Sequence, residues 1–336
     1  MNDKLLSISI ASYNVEEYLE ETLESLVLES SYMDRLEIII VNDGSTDSTQ
    51  EIAENFRRRY PDTVRIINKS NGGYGSTINE AVRASEGKYF KLLDGDDRFD
   101  GRSLGMLIDL LEEGETADLI LSTWVITREG RQGRELVDKH PKLAPSPHKI
   151  ENASFGDGIA MFEICIRTEL LVRRGVSITE NCFYTDNEFV MTAILASSTV
   201  QKFEHPLYCY RLGVEGQSVS VEGQRKHYRD CIRAFAAVAA QYEAYSGPIT
   251  GGRASAVSAL ISVLMRFTYI AHMLQKSPLH YRAELKAFDD RMRSEYPRAY
   301  ELTGGSRLVR IIRHSGPLLY SMLAGVILKR ETERTR

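Results

Sequence analysis

The sequence predicts an α/β fold with a mainly parallel, Rossmann-like sheet, flanked by helices and followed by a helical carboxyl-terminal region. Over residues 1–120, short apolar runs of strand length alternate with segments whose apolar residues recur at helical spacing. The run LEIIIV at residues 36–41 has no polar alternation, which is typical of a strand covered on both faces. Strands that alternate with helices are joined by right-handed crossovers, so the sheet they form is mainly parallel.

The elements follow in order along the chain. Strands are predicted over residues 5–12, 36–41, 64–67, 88–93 and 118–122, with helical patterns between them. For the first helix, Asn14 is the expected N-cap and Glu17 the returning partner of a capping box. Further helices are predicted near residues 168–174 and 187–196, and short strands near 200–203 and 207–211. Beyond residue 222 the pattern is helical throughout.

Composition limits the classes of protein and partner. The length of 336 residues suggests about two domains, which we place at residues 1–221 and 222–336. A net charge of −5 disfavours nucleic acid as a partner. Four scattered cysteines without a C-x-x-C pair indicate free thiols in a reducing compartment, hence a cytoplasmic protein. No secretory signal and no uninterrupted apolar run of ~20 residues is found, so the chain is expected not to span a bilayer.

Polar clusters follow four of the predicted strands, at residues 12–14, 42–45, 68–75 and 94–97. In parallel sheets, ligands bind beyond the carboxyl ends of the strands. The four loops should therefore converge on one crevice. The polar, proline-punctuated stretch from about residue 130 to 158 is expected to form a long loop over it.

The tetrapeptide Asp94-Gly95-Asp96-Asp97 is the first candidate site. Neighbouring carboxylates repel one another unless a proton or cation intervenes, and such oxygen-rich sites suit Mg²⁺ or Mn²⁺ with substrate phosphates. The alternative is a solvated acidic turn, which the position at the end of an apolar strand disfavours. A calcium loop beginning at Asp43 is also disfavoured, because Ser48 stands where that loop needs glycine.

Two further motifs keep two interpretations each. The glycine-rich run at residues 71–75 either makes a tight turn or lets backbone N–H groups approach a diphosphate. Asp186 precedes a helical pattern and is either an N-cap residue or a functional carboxylate. Asp43 is either part of a plain strand–helix turn or an acceptor for a nucleobase N–H.

Together these segments resemble a family 2 glycosyltransferase, an inverting, nucleotide-sugar-dependent enzyme with a GT-A fold. The matching segments occur in family order over about residues 5–220: SIxIxSYNxxxYL, EIIIVNDGSTDST, NGGYGSTINEAV, GKYFKLLDGDD, YTDNEF and LYCYRLGVEGQSVS. Three positions depart from the family pattern: Asn42 where an aspartate is common, Thr185 where a glutamate is usual, and residues 77–79 in place of A-R-N.

The resemblance implies a role for each matching residue. Asp186 would be the catalytic base, and Asp96 the metal ligand, with Mg²⁺ or Mn²⁺ as cofactor. The donor, a nucleotide sugar with UDP as the expected nucleotide, would contact the remaining matched positions: Ser12, Tyr13, Asn14, Asp43, Asn71, Gly73, Asp94, Gly95 and Arg211. Asp43 would accept from uracil N3, and Arg211 with Ser218 would reach the diphosphate.

The implied reaction transfers a single sugar, with inversion, to a glycan or lipid-linked acceptor in cell-surface polysaccharide or glycolipid biosynthesis. The Q-x-x-R-W element of processive synthases is absent from the sequence. The alternatives are an inactive relative that binds glycans or nucleotide sugars, which should have lost Asp96 or Asp186, and a nucleotidyltransferase, which should carry a basic glycine-rich loop after the first strand.

The carboxyl-terminal region carries no recognisable chemistry. Residues 307–330 are basic and apolar, and the first acid after Arg307 is Glu331. Such a segment is expected either to lie at the cytoplasmic face of a membrane, as a peripheral contact, or to pack as a helical appendage or homo-oligomer contact.

Overall fold

The computed structural model describes residues 4–128, 133–156, 158–213 and 217–334. Their strands form one sheet: β1 Leu6–Ser12, β2 Leu36–Asn42, β3 Val64–Asn68, β4 Tyr89–Asp94, β5 Arg98–Phe99, β6 Leu119–Arg128, β7 Arg134–Val137, β8 His148–Lys149, β9 Ile164–Arg167 and β10 Thr199–Leu212. The strand order is β3-β2-β1-β4-β9-β6-β10-β5, with β7 paired to β6 and β8 to β10.

Helices flank the amino-terminal strands and make up most of the chain after β10. Those before β10 are α1 Leu19–Glu24, α2 Ser30–Met33, α3 Thr49–Arg59, α4 Tyr74–Ala84, α5 Gly101–Glu112, α6 Thr168–Arg174 and α7 Asp186–Ala196. Those after it are α8 Val221–Lys226, α9 Tyr228–Ala244, α10 Gly251–Met273, α11 Pro278–Glu295, α12 Pro297–Leu302, α13 Arg307–Arg313 and α14 Pro317–Arg334.

The amino-terminal half of the sheet is parallel, as the sequence predicts. β1 lies between β2 and β4, and β2 pairs with β3, all in parallel. Every residue of β2 is buried, because helices cover both faces of the sheet. Beyond β4 the sheet is mixed, since β9 inserts antiparallel to both β4 and β6. The α/β fold class is confirmed.

Two local predictions are wrong: the N-cap of the first helix and the division of residues 200–211 into two strands. Asn14 does not cap α1: its backbone is left-handed at φ 52°, its Oδ1 accepts from the Thr46 backbone N–H at 2.8 Å, and the helix begins at Leu19. The capping box does not form, because the Asn14 side chain is hydrogen-bonded to the loop between β2 and α3. The two short strands near residues 200–211 are one strand, β10, with an irregularity at Pro206.

The stretch expected to form a long loop contains strands. Within it β7 pairs antiparallel with β6, and β8 pairs antiparallel with β10. Residues 129–132 and 157 of that stretch lie outside the described part of the chain. A partly apolar strand such as 134–137 can pair on a sheet edge without strong periodicity, so proline and polarity alone mislead here.

The carboxyl-terminal helices share a hydrophobic cluster with the sheet. Phe189 of α7, Phe235 of α9 and Leu264 of α10 are all buried in it. The division at residue 221 stays a prediction. α10 is the one helix of the described chain that is long and apolar enough to cross a membrane, and 56% of its apolar window is buried within the protein, as in a core helix. The four cysteines are free and buried, as expected.

Candidate functional site

A cleft of about 710 Å³ opens at the carboxyl ends of β1, β2 and β4. The predicted convergence of loops is confirmed there, since one residue from each of the four polar clusters lines the cleft: Ser12, Asp43, Asn71 and Asp94. Tyr13, Gly73, Gly95, Asp96 and Asp186 line it too. A volume of this size is typical of small-molecule sites.

Three carboxylates meet at the end of β4. One oxygen each of Asp94, Asp96 and Asp97 lies within 4.8 Å of the others. Tyr74 donates its hydroxyl to Asp94 at 2.7 Å, and Tyr208 donates to Asp97 at 2.7 Å. Asp97 is almost fully buried, whereas Asp94 and Asp96 face the cleft. Only Asp94 and Asp96 of the three can therefore be reached by a ligand in the cleft.

Burial and mutual repulsion make this cluster favourable for a cation. Burial, together with the charge of Asp96, raises the pKa of Asp94 to about 7. Burial also raises the pKa of Asp96, and burial with the Asp94 charge raises that of Asp97 well above its usual range. A divalent ion would remove this repulsion, and carboxylate oxygens are the ligands that Mg²⁺ and Mn²⁺ prefer. The residues present therefore fit the metal that the sequence implies.

The described ranges contain no second group of three such ligands at similar spacing. In the loop tested as a calcium site, both Asp47 oxygens are taken, by the backbone N–H groups of Thr49 and Glu16. The calcium-loop alternative therefore has no support.

Asp43 organises the glycine-rich loop. Its Oδ1 accepts from Lys69 Nζ at 2.8 Å and from the Gly72 N–H at 2.9 Å, and its Oδ2 accepts from the Gly73 N–H at 2.8 Å. Gly73 has φ 78°, a backbone that favours glycine, and α4 begins directly after it. The structure thus gives Asp43 a structural task in addition to its place on the cleft wall.

Asp186 enters the cleft from the first turn of α7. Thr185 occupies the N-cap position, and Tyr184 before it has a left-handed backbone at φ 65°, which turns the chain toward the cleft. Asn187 donates its side-chain amide to Asp186 Oδ1 at 3.1 Å. Burial raises the pKa of Asp186 to about 6. The carboxylate lines the same cleft as Asp94 and Asp96.

Two of the expected donor-binding residues do not line the cleft. Asn14 binds the neighbouring loop, as described above. The Arg211 guanidinium donates to the Asp96 carbonyl at 3.0 Å and to Glu21 at 2.6 Å, and it stacks over the Tyr18 ring. That hydrogen bond from Arg211 lowers the pKa of Glu21. Arg211 therefore faces α1. Of the two residues expected to reach the diphosphate, Arg211 and Ser218, only Ser218 lies on the cleft wall.

One wall of the cleft was not predicted. The exposed Phe183 ring stacks on His227, with 3.5 Å between centroids, and Asp230 Oδ2 lies 3.3 Å from His227 Nδ1. These three residues line the cleft beside Asp186, and two of them follow residue 221. Isolated residues at the ends of helices carry no periodic pattern, so the sequence gives no signal for this wall.

The comparisons agree with this geometry. Residues 7–167 match the family model "Glycosyl transferase family 2". The uncharacterized glycosyltransferase EpsJ of Bacillus subtilis (strain 168) is 29% identical over 215 residues, covering 62% of this chain and 61% of EpsJ. The minor teichoic acid biosynthesis protein GgaB of the same organism is 30% identical over 137 residues, covering 40% of this chain and 15% of GgaB. The chain thus spans about three fifths of EpsJ and less of GgaB.

Solved structures share the fold. S. aureus TarS 1-349 in complex with UDP-GlcNAc superposes with a TM-score of 0.57 at 19% identity, over 90% of this chain and 92% of that one. The mannosyltransferase PcManGT from Pyrobaculum calidifontis, in complex with GDP-Man and Mn²⁺, superposes with a TM-score of 0.54 at 13% identity, over 98% of this chain and 86% of that one. The part of the chain that is similar to glycosyl transferase family 2, residues 7–167, contains the Asp94–Asp97 cluster.

Proposed function

We propose that the chain is a metal-dependent, inverting glycosyltransferase that moves one sugar from a nucleotide-sugar donor, with UDP as the nucleotide, to an acceptor hydroxyl. The observation that carries the proposal is the shared cleft: Asp94 and Asp96 reach it from the end of β4, and Asp186 from the start of α7. The UDP-GlcNAc of the TarS structure supports the uridine nucleotide.

The residues divide into two sets. Ser12, Tyr13, Asp43, Asn71 and Gly73 come from the loops after β1 to β3, and we assign them to the nucleotide. Asp96, with Asp94 beside it, would hold a divalent ion. When bound, that ion supplies charge neutralisation to the departing diphosphate.

Asp186 is the proposed general base. It accepts the proton of the acceptor hydroxyl while the acceptor oxygen bonds to the anomeric carbon and the bond from that carbon to the diphosphate oxygen breaks. One bond forms and one breaks on opposite faces of the carbon, so its configuration inverts. A pKa of about 6 keeps Asp186 ionised at neutral pH yet more basic than an exposed aspartate.

The acceptor is assigned to the wall formed by Phe183, His227 and Asp230, which adjoins Asp186. An exposed ring beside polar groups suits a sugar with one apolar and several hydroxyl-bearing faces. We propose a glycan or a lipid-linked glycan as acceptor, in cytoplasmic steps of cell-surface polysaccharide or glycolipid synthesis. GgaB, a teichoic acid biosynthesis protein, supports this assignment.

The test is a thermal-shift panel of UDP, several UDP-sugars, GDP-mannose and a cytidine nucleotide, each with and without Mn²⁺. Saturation at about 100 times Kd should stabilise the protein by about 2.7 kcal/mol, and the effect should require Mn²⁺. D96A should lose the Mn²⁺ dependence. D97A is not a suitable control, because Asp97 is buried and accepts a hydrogen bond from Tyr208. The control is N187A, beside Asp186, which should keep the Mn²⁺ dependence. No response to any nucleotide sugar would favour an inactive relative that binds glycans, and a product of retained configuration would refute inversion.

A further inference from the structure

The last helix, α14, carries an exposed apolar stripe on an otherwise acidic protein. Leu318, Met322 and Val326 of α14 are 84%, 71% and 65% exposed. A spacing of four places them in one row along the helix. Tyr320 and Ala324 on the opposite side are buried, so the helix is packed on one side and bare on the other.

Exposed basic residues flank this stripe in the sequence. Arg307 and Arg310 lie on the exposed side of α13, and Lys329 and Arg330 follow the stripe at the end of α14; all four are exposed. The fifth basic residue of the segment, Arg313, is already paired with Asp289 at 2.7 Å.

The charges of the chain are therefore segregated. Residues 307–330 contain five basic residues and no acid, which leaves 37 of the 42 basic residues against 47 acidic residues in the rest of the chain. The first acid that follows, Glu331, is buried. A second copy of this chain would offer a net negative charge only outside this segment, whereas an anionic lipid surface offers both negative charge and an apolar interior.

We propose that α13 and α14 form a peripheral binding surface for anionic lipid, defined here as the lipid-facing surface. Leu318, Met322 and Val326 enter the boundary between headgroups and acyl chains. Arg307, Arg310, Lys329 and Arg330 contact the anionic headgroups. The protein lies on the bilayer and does not cross it through these helices, since the buried side of α14 stays packed on the protein.

The helix that carries the stripe packs close to one wall of the cleft. α14 packs against α8, and the residues on either side of α8, Val219 and His227, line the cleft. The lipid contact itself rests only on charge and exposure, and it stands whether or not the proposed transfer reaction is correct.

The experiment is flotation of the full chain with vesicles of phosphatidylcholine alone or of phosphatidylcholine with phosphatidylserine. The protein should float only with the anionic vesicles, and salt should release it, because screening weakens the headgroup contacts. Each basic residue near such a surface changes the partition coefficient about fivefold, so R310Q/K329Q/R330Q should lower it about a hundredfold. L318S/M322S/V326S should also abolish flotation.

Control variants carry substitutions of the same kinds, two in each variant, elsewhere on the surface. Leu136 and Val172 are 62% and 59% exposed, so L136S/V172S tests exposed apolar residues as such, and R102Q/K142Q tests exposed charge. Both controls should float like the unaltered protein. All four variants change exposed side chains, and their thermal midpoints and donor-induced shifts should match the parent, which separates this test from the proposed function.

Two results would overturn the proposal. One is a chain that stays unbound with anionic vesicles at low salt, or whose flotation the stripe variant leaves intact. The other is a dimer in light scattering that L318S/M322S/V326S converts to a monomer without any vesicle binding, which would assign the stripe to a second copy of the chain.

Discussion

Replacing Asp186 by asparagine should remove most activity and yet stabilise the fold. Burial raises the pKa of Asp186 from 3.8 to about 6, so the native state holds the ionised carboxylate less favourably than the unfolded chain does. At 1.36 kcal/mol per pKa unit, this shift of about two units corresponds to about 3 kcal/mol at neutral pH. Because Asp186 is partly open to solvent in the cleft, we expect a gain of about 1–3 kcal/mol in D186N.

The gain should depend on pH in a defined direction. A carboxylate whose folded pKa is raised destabilises the native state only where it is ionised. The difference in unfolding free energy between D186N and the parent should therefore be absent below about pH 4, grow between about pH 4 and about pH 6, and be complete above about pH 6. Urea unfolding of the metal-free, donor-free proteins at the two ends of this interval measures it. The turnover number should fall about 10²–10⁴-fold, measured as released nucleotide.

The competing interpretation makes a different prediction. Thr185, and not Asp186, is the N-cap residue of α7, so the competing role for Asp186 is a favourable charge in the first turn of the helix, and D186A and D186N would then each lose about 0.3–1 kcal/mol at neutral pH. As a buried base, both variants should be more stable than the parent at neutral pH. A D186A protein that is less stable and fully active would refute the assignment.

Three further predictions follow from the same contacts. The rate at limiting substrate should fall about tenfold per pH unit below about pH 6, as Asp186 takes up a proton, and an acid limb centred near pH 4 would contradict this. Y208F removes the hydroxyl that Asp97 accepts at 2.7 Å, so urea unfolding should show a loss of about 1–3 kcal/mol, whereas an unchanged midpoint would show that the bond is not needed. F183A should raise the KM for the acceptor and leave the donor Kd, measured by calorimetry, unchanged; equal effects on both would place the ring on the donor side.

Long apolar runs and strand-end clusters were the part of the fold that sequence could predict. The run in β2 favours a buried strand, because it is of strand length, is rich in β-branched residues and has no polar alternation. The loops after β1, β2 and β4 then follow from the topology of a parallel sheet, which brings strand ends to one edge. Predictions from local patterns were wrong where a side chain had two possible partners. Asn14 could have capped a helix, but its side chain instead accepts from the Thr46 N–H of the neighbouring loop.

What the sequence by itself determined is therefore the parallel half of the sheet, the acidic cluster at the end of β4, and the similarity of residues 7–167 to glycosyl transferase family 2. Tertiary structure alone decided which polar groups face the cleft. In the folded chain Arg211 donates to Glu21, and Asp43 accepts from the Gly73 N–H of the glycine-rich loop. His227 and Asp230 line the same cleft as Asp186. The reason is that a hydrogen bond or a cleft wall joins residues far apart in sequence, and their pairing depends on geometry that no local periodicity encodes.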